Sequence, residues 1–274
     1  MTPSAGRRFW DATVVLSTAA AAWRDGKQMT EPYDGDAFDM TFFVSCYNEA
    51  PYILETLETV RASASELGLR YEVIVIDDGS KDNSCELVAG YIAAHPEDQL
   101  VLRANAQNKG LAQNYVDGAF LGRGRYYRLI CGDNGEPKES IVSVLRAVGT
   151  ADIVVPYYLD VEGKGLKRQI ISGTYTWLIN AITGNRLHYY NGLAVHLRYN
   201  VMRWHSNTRG FGFQADTLCM LMDLGFTYVE MPIIASEQRK GVSNALTFRN
   251  LLSVAHTVAG IMVRRVANRV HRRR

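Results

Sequence analysis

Val73-Ile74-Val75-Ile76-Asp77-Asp78-Gly79-Ser80 decides the fold: four consecutive branched apolar residues run into two carboxylates and a turn. A run with no polar alternation has no wet face, so it reads as a strand covered on both sides, as in a parallel sheet. Its polar end then falls at the carboxyl edge of that sheet, where α/β proteins bind their ligands. Two other segments repeat the pattern. Met40 to Ser45 runs into Cys46-Tyr47-Asn48-Glu49, and Tyr126 to Ile130 runs into Cys131-Gly132-Asp133-Asn134. The three polar tips are predicted to share one edge and to build one site from the segment between Met40 and Pro137.

The sequence between and after these strands alternates helix and strand patterns, the mark of βαβ units. Pro51 to Leu67 is predicted helical, with Ile53, Leu54, Leu57, Val60 and Ala64 on one face; Asp82 to Ala94 and Gly110 to Leu121 follow as helices around a strand at Leu100 to Arg103. A helix at Lys138 to Val148 and a strand at Ile153 to Val155 complete five parallel strands. The fold class is therefore α/β, with a mostly parallel central sheet flanked by helices. Past Pro156 the pattern changes to a helix at Leu166 to Ile182, a tyrosine-rich loop at Gly184 to Gly192, a helix at Phe213 to Leu224, a strand from Thr227 to Glu230 and a long amphipathic helix at Leu246 to Val270.

At 274 residues and 47% hydrophobic composition the chain suits one substantial core with an appendage rather than two full domains. We divide it into an N-terminal helical extension (1–38), an α/β catalytic domain (39–245) and a basic amphipathic C-terminal helix (246–274). Arg7-Arg8 and the apolar residues after it imitate a secretory signal, but Asp11 interrupts the run and an amphipathic helix is expected. No stretch reaches the ~18–20 apolar residues that a bilayer span needs. Four cysteines without Cys-x-x-Cys spacing indicate neither zinc nor a disulfide framework, so a reduced cytosol is the expected setting. A net charge of +2 conceals a basic end, Arg264-Arg265 through Arg272-Arg273-Arg274. Together with Leu251, Leu252, Val254, Val258 and Ile261 it predicts a helix lying on the inner face of an anionic membrane, or else one packed on the α/β domain with a solvated basic tail; no nucleic-acid partner is expected.

A carboxylate at a strand end can accept from a base N–H or a ribose hydroxyl, and Glu49, Asp77 and Asp78 stand there. For Asp78 a second reading stays open, as a turn and capping residue ahead of Lys81-Asp82-Asn83-Ser84. Asp133 is the leading catalytic candidate, since it ends the most convincing central strand. A hard divalent ion bridging two phosphates needs only one or two protein oxygens. The six histidines lack metal-ligand spacing, and no Gly-x-Gly-x-x-Gly follows Phe43, which counts against a dinucleotide-binding dehydrogenase.

These motifs together resemble an inverting glycosyltransferase of family 2 with the GT-A nucleotide-sugar fold, in its dolichol-phosphate mannosyltransferase-like and polyprenyl-phosphate branch. The family's Pro-x-Tyr-Asn-Glu stands here as Ser45-Cys46-Tyr47-Asn48-Glu49, Asp-Asp-Gly-Ser is intact at 77–80, and Asn108-Lys109-Gly110-Leu111 matches its Gly-Leu helix start. The resemblance implies that Tyr47, Glu49 and Asp77 hold the base and ribose, with Val75 beside the base and Ser45, Asp78, Lys109, Cys131 and Gly132 lining the cofactor site. Asp133 matches the second acid of the Asp-x-Asp motif and is implied to ligate Mg²⁺ or Mn²⁺; Cys131 replaces the first.

In the second half, Phe213-Gln214-Ala215-Asp216 resembles the family's acidic helix start. Asp216 would be a general base if the acceptor is a hydroxyl, or else a favourable charge near a helix N-terminus. Arg239, with Lys240, resembles the late loop that reaches the phosphates, and Arg168 matches an acceptor-side arginine. The implied activity is single displacement from a UDP- or GDP-sugar to a lipid-phosphate or glycan acceptor. The rival reading is a catalytically silent nucleotide-sugar binding protein, suggested by Cys131.

Overall fold

The computed structural model describes residues 13–15, 37–159, 166–204, 210, 212–234 and 248–271. In chain order the first elements are β1 (Thr13–Val15), β2 (Phe38–Cys46), α1 (Ile53–Glu66), β3 (Tyr71–Asp77), α2 (Ser84–Ala94), β4 (Leu100–Ala104), α3 (Leu111–Leu121) and β5 (Gly124–Cys131). They are followed by α4 (Lys138–Arg146), β6 (Ile153–Tyr158), α5 (Leu166–Thr183), β7 (Val195–Leu197), α6 (Arg198–Arg203), α7 (Phe213–Asp223), β8 (Tyr228–Ile233) and α8 (Phe248–His271).

All eight strands join one sheet in the order β1-β8-β6-β7-β5-β2-β3-β4. β4, β3, β2 and β5 are mutually parallel, and β6 is parallel to β8. The five predicted parallel strands are thus present. β7, in a stretch to which the sequence reading assigned no element, lies antiparallel between β5 and β6. Three residues are too few to show a strand period, so only tertiary pairing reveals it.

The covered sheet explains the apolar runs. On one face Phe42, Val44, Val73 and Val75 pack with Ile53, Leu57 and Val60 of α1. On the other Phe43, Ile74 and Ile76 pack with Ala112 and Tyr115 of α3 and with Phe213. A third cluster joins Ile153 and Val155 to Ile179, Leu218 and Ile261, tying α5, α7 and α8 to the far half of the sheet.

Two expectations are corrected here. Thr13–Val15 is a strand paired with β8, not part of an amphipathic helix. A β-branched Thr-Val-Val triplet against the otherwise open edge of β8 gains ladder bonds that a short helix would not replace. The rest of 1–38, apart from 37 and 38, lies outside the described residues. The long C-terminal helix is present, but two of the arginines read as its free basic flank are engaged: Arg264 donates to Asp216 at 2.7 Å and Arg265 pairs with Asp223 at 2.7 Å, both on α7. Among the described residues no helix is long and apolar enough to cross a membrane.

Candidate functional site

Strand register sets the site. Cys46 pairs with Asp77 and Ser45 with Cys131, so the ends of β2, β3 and β5 stand level at one carboxyl edge. The loops leaving those strands are then laced together by side chains. Asn48, with φ of 57°, donates its backbone N–H to Ser80 Oγ at 2.9 Å, and its Oδ1 accepts from Lys81 N at 2.8 Å. Glu49 N donates to Ser84 Oγ at 2.9 Å and Ala50 N to Asp82 Oδ2 at 3.2 Å. Ser80, Asp82 and Ser84 therefore hold the Tyr47–Ala50 loop open at the sheet edge, leaving Tyr47 exposed.

Asp77 is 3% exposed. Its Oδ1 accepts from Gly79 N at 3.1 Å and Ser80 N at 2.9 Å, the turn that the Asp-Asp-Gly-Ser sequence predicts. Its Oδ2 is buried and has no partner. A buried carboxylate oxygen without a donor is costly, and a ligand that supplies an N–H or O–H removes that cost. Burial first, and then the Asp77 charge, push the neighbouring Cys46 thiol up to about 12, so it stays protonated behind the site.

The adjacent carboxylate does different work. Asp78 accepts from Asn105 Nδ2 at 3.0 Å, Lys109 N at 2.8 Å and Gly110 N at 2.9 Å. It fixes the loop that starts α3, where Gly110 has a φ of 88°. Its carboxylate oxygens are engaged at the start of α3, not at the helix after Lys81-Asp82-Asn83-Ser84 that the sequence reading weighed. Lys109 is corrected with it: its ammonium donates to Asp117 at 3.2 Å, nearly two helical turns into α3, instead of facing phosphate. Val75 is also corrected, being fully buried under α1 and α2 with Val44 and Val73, two residues short of the strand's wet end.

The third tip is pinned from below. Gly132 N donates to Ser45 O at 2.9 Å, and a Cβ on Gly132 would stand 2.5 Å from that oxygen, so only glycine lets β5 turn against β2 here. Glu49 lies against the same glycine. Thr56 of α1 donates from Oγ1 to Gly132 O at 3.0 Å and accepts from Asn134 N at 3.0 Å. Asp133, 8% exposed, is thereby held in the turn, with Oδ1 accepting from Gly135 N at 3.1 Å. Cys131 is half-buried at the strand end.

Sequence reasoning missed several residues around this edge. Tyr158, at the end of β6, has its phenol held above the ordinary range by burial, then by the charges of Glu136, Cys131, Tyr189 and Asp133. Arg128 and Glu136 form a buried ion pair. An arginine between the tyrosines and the Leu129-Ile130 pair of a central strand was the available signal, since a buried charge demands a partner. His188 stacks on Tyr157 at 4.6 Å and engages Glu230 through both its backbone N–H and Nδ1 at 2.7 and 2.8 Å, which gives Glu230 a structural role.

Asp216 does not stand as a free base. Its Oδ1 is committed to Arg264, because α8 packs directly on α7 and brings a guanidinium to the first turn of that helix. Arg239 and Lys240 lie outside the described residues, and of Arg168 only its place in the first turn of α5 is described. Among the described residues no cluster of three or more His, Cys, Asp or Glu forms a ready metal cage.

Known proteins share this architecture. Over 103 residues the chain is 31% identical to a dolichyl-phosphate beta-glucosyltransferase of Dictyostelium discoideum, covering 36% of this chain and 32% of that protein. It is 31% identical over 134 residues to a dolichyl-phosphate beta-glucosyltransferase of Trichomonas vaginalis, covering 45% and 39%. The alignments thus span between about a third and two fifths of the length of these relatives. Among solved structures, glucosyl-3-phosphoglycerate synthase from Mycobacterium tuberculosis in complex with UDP superposes with a TM-score of 0.61 at 16% identity, covering 81% of both chains. S. aureus TarS 1-349 in complex with UDP-GlcNAc gives a TM-score of 0.55 at 15% identity, covering 81% of this chain and 66% of that one. Such low identities establish a shared fold, the GT-A type expected from the sequence. The model for "Glycosyl transferase family 2" matches residues 41–203, from within β2 to the end of α6, and with all three tips of the carboxylate-bearing edge inside that span the chain belongs to glycosyl transferase family 2.

Proposed function

We propose that this protein transfers a hexosyl group from a nucleoside-diphosphate sugar to a lipid-phosphate acceptor, with inversion at the anomeric carbon. The observation that carries the reading is the unpartnered, buried Oδ2 of Asp77, level with exposed Tyr47 and with Asp133 at one sheet edge. Asp77 Oδ2 would accept from a base N–H or a ribose hydroxyl while the Tyr47 ring covers the base. The diphosphate would then extend along the edge toward Asp133. The acceptor oxygen attacks the anomeric carbon from the face opposite the diphosphate; the glycosidic C–O bond breaks and the nucleoside diphosphate leaves with the electron pair.

A divalent cation would neutralise charge on the departing diphosphate. The donor set fits a hard ion brought in with the diphosphate, Mg²⁺ or Mn²⁺, held by Asp133 with phosphate oxygens and water, better than a site built wholly from protein. Cys131 adds only a soft thiol. Arg239 and Lys240 are proposed to clamp the phosphates and Arg168 to serve the acceptor. With Asp216 tied to Arg264, an acceptor that needs no deprotonation is favoured, and a phosphate is already ionised. The relatives named as dolichyl-phosphate glucosyltransferases support the same class of acceptor.

Peripheral membrane contact belongs to this reading. α5 and α8 pack together, and both leave large apolar side chains in water: Ile170, Ile171 and Trp177 on α5, the last 68% exposed, and Met262, Val263 and Val266 on α8. Such surface suits a bilayer interface, where indole rings settle. Flotation with phosphatidylserine-containing vesicles should carry the protein upward and Trp177→Glu should lessen it; wild type left wholly in the soluble fraction refutes the contact.

The catalytic test is release of nucleoside diphosphate from a panel of UDP- and GDP-sugars, with and without Mn²⁺ and polyprenyl phosphate, in wild type and Asp133→Asn. Acceptor- and metal-dependent release that the variant loses is the expected result. Saturable nucleotide binding without turnover in any mixture would instead support a silent nucleotide-sugar binding protein.

A further inference from the structure

Arg128 and Glu136 have no part in the reading above. Arg128 sits inside β5 with no exposed surface, and Glu136, five residues past the end of that strand, is 5% exposed. Arg128 donates from Nη2 to Glu136 Oε1, and from Nε to the Leu193 carbonyl at 3.3 Å. That accounts for only part of their bonding capacity. Arg128 Nη1 and Glu136 Oε2 are both buried and both lack a partner. Charges taken out of water are tolerated when every lone pair and proton is engaged, and this pair leaves one of each open.

The open atoms specify a ligand group. One is a donor and the other an acceptor, and a hydroxyl accepts from a guanidinium while donating to a carboxylate. The location specifies whose hydroxyl. Glu136 lies three residues beyond Asp133 on the turn that leaves β5. If Asp133 stands at the diphosphate, the group bonded to that diphosphate is the donor sugar. We propose that Glu136, oriented by Arg128, binds a hydroxyl of the hexosyl group of the donor and so helps select the sugar. The inference rests on the nucleotide-sugar reading and assigns a residue which that reading leaves out.

The experiment compares a nucleotide with its own sugar conjugate, in the absence of any acceptor. UDP and UDP-glucose, and GDP and GDP-mannose, are titrated calorimetrically into wild type, Glu136→Gln and the double variant Arg128→Met/Glu136→Met. The double variant removes both charges together, so no unpaired ion is left in the core if the single change fails to fold. For the nucleotide pair that wild type binds, the free nucleoside diphosphate should keep its affinity within about twofold in both variants. The Kd of the sugar conjugate should rise about tenfold, the loss expected for one hydrogen bond to a charged group.

Three outcomes overturn the proposal, and they are distinguishable. Folded variants with an unchanged ratio of the two Kd values would mean that the pair is structural and its open atoms hold water. Equal weakening of nucleotide and conjugate would mean that the pair only supports the Asp133 turn. Wild type that binds no member of either pair would overturn the nucleotide-sugar reading, and this inference with it. Because no acceptor is present, a selective loss cannot come from acceptor binding.

Discussion

Thr56→Val tests whether the Asp133 turn is held from beneath as described. Thr56 is fully buried in α1, and its hydroxyl meets Gly132 O at 3.0 Å and Tyr52 O at 3.1 Å while accepting from Asn134 N at 3.0 Å. Valine keeps the shape and removes the hydroxyl, so the cost is polar. An orphaned buried N–H on Asn134 costs ~1–3 kcal/mol, and the lost bond to Gly132 O adds ~1 kcal/mol. A total of ~2–4 kcal/mol lowers the melting temperature by roughly 5–15 °C at the usual few degrees per kcal/mol for a protein of this size. Thr56→Ser keeps the hydroxyl and loses one methyl, for about 1 kcal/mol. Urea unfolding followed by circular dichroism gives both values. A valine variant that loses no more than the serine variant would refute the claim that this hydroxyl carries the turn, and with it the account of how Asp133 is positioned.

Asp77→Asn keeps an oxygen for the Gly79 and Ser80 N–H groups but replaces the unpartnered oxygen with a donor; nucleoside diphosphate binding should weaken roughly ten- to a hundredfold with little change in melting temperature, and unaltered binding by calorimetry would place the base elsewhere. Gly132→Ala drives a Cβ to 2.5 Å from Ser45 O, so β2 and β5 must part; unfolding should show a loss of ~1–3 kcal/mol, and a neutral result would contradict the close approach. His196 is fully enclosed, its Nε2 taking the Tyr115 hydroxyl proton at 3.0 Å and its Nδ1 facing Leu197 O at 3.0 Å, and burial holds its pKa below the ordinary value. The unfolded chain therefore binds the extra proton first: the contribution to stability is complete above pH ~6.5 and declines as pH falls below it. Urea midpoints between pH 8 and pH 5 should fall less steeply in His196→Gln than in wild type, and parallel profiles would refute this.

Much of the fold was legible because parallel strands announce themselves. The runs ending at Cys46, Asp77 and Cys131 are mostly apolar without a polar alternation, and the helices between them follow the order of a βαβ chain. Asp77 and Asp133 were legible for the same reason: a carboxylate directly after such a run has nowhere to be except the ligand edge. What stayed hidden depends on partners far along the chain. Asp77 and Asp78 are indistinguishable as neighbouring letters, yet one leaves an oxygen open and the other is filled by Asn105, Lys109 and Gly110, some thirty residues away. Lys109 was read as a ligand-facing charge and Asp216 was left between a base and a helix-start charge, because local sequence gives no sight of Asp117 or Arg264. Val75 was misplaced by two residues of depth, which in a strand separates a wet tip from a fully covered core.

The buried arginine has a reason that β7 supplies. Pairing of β7 with β5 ends where Arg128 meets Val195, so the chain entering that strand runs past β5 with no further ladder bond to it. Leu193 O stands in that stretch and accepts from Arg128 Nε. An apolar side chain at 128 would fill the space and leave this carbonyl without that donor, whereas a guanidinium reaches it and still has atoms to spare. Once the charge is buried it needs a carboxylate, which Glu136 provides from the turn that carries Asp133. The antiparallel insertion, the chain leading from the tyrosine-rich loop and the Asp133 turn thus meet at one side chain. A change at Arg128 alone should therefore strand Glu136 and disturb the Asp133 turn and the segment entering β7 together, whereas the paired Arg128→Met/Glu136→Met change removes both charges and spares the turn, and a change at Thr56 reaches the turn alone.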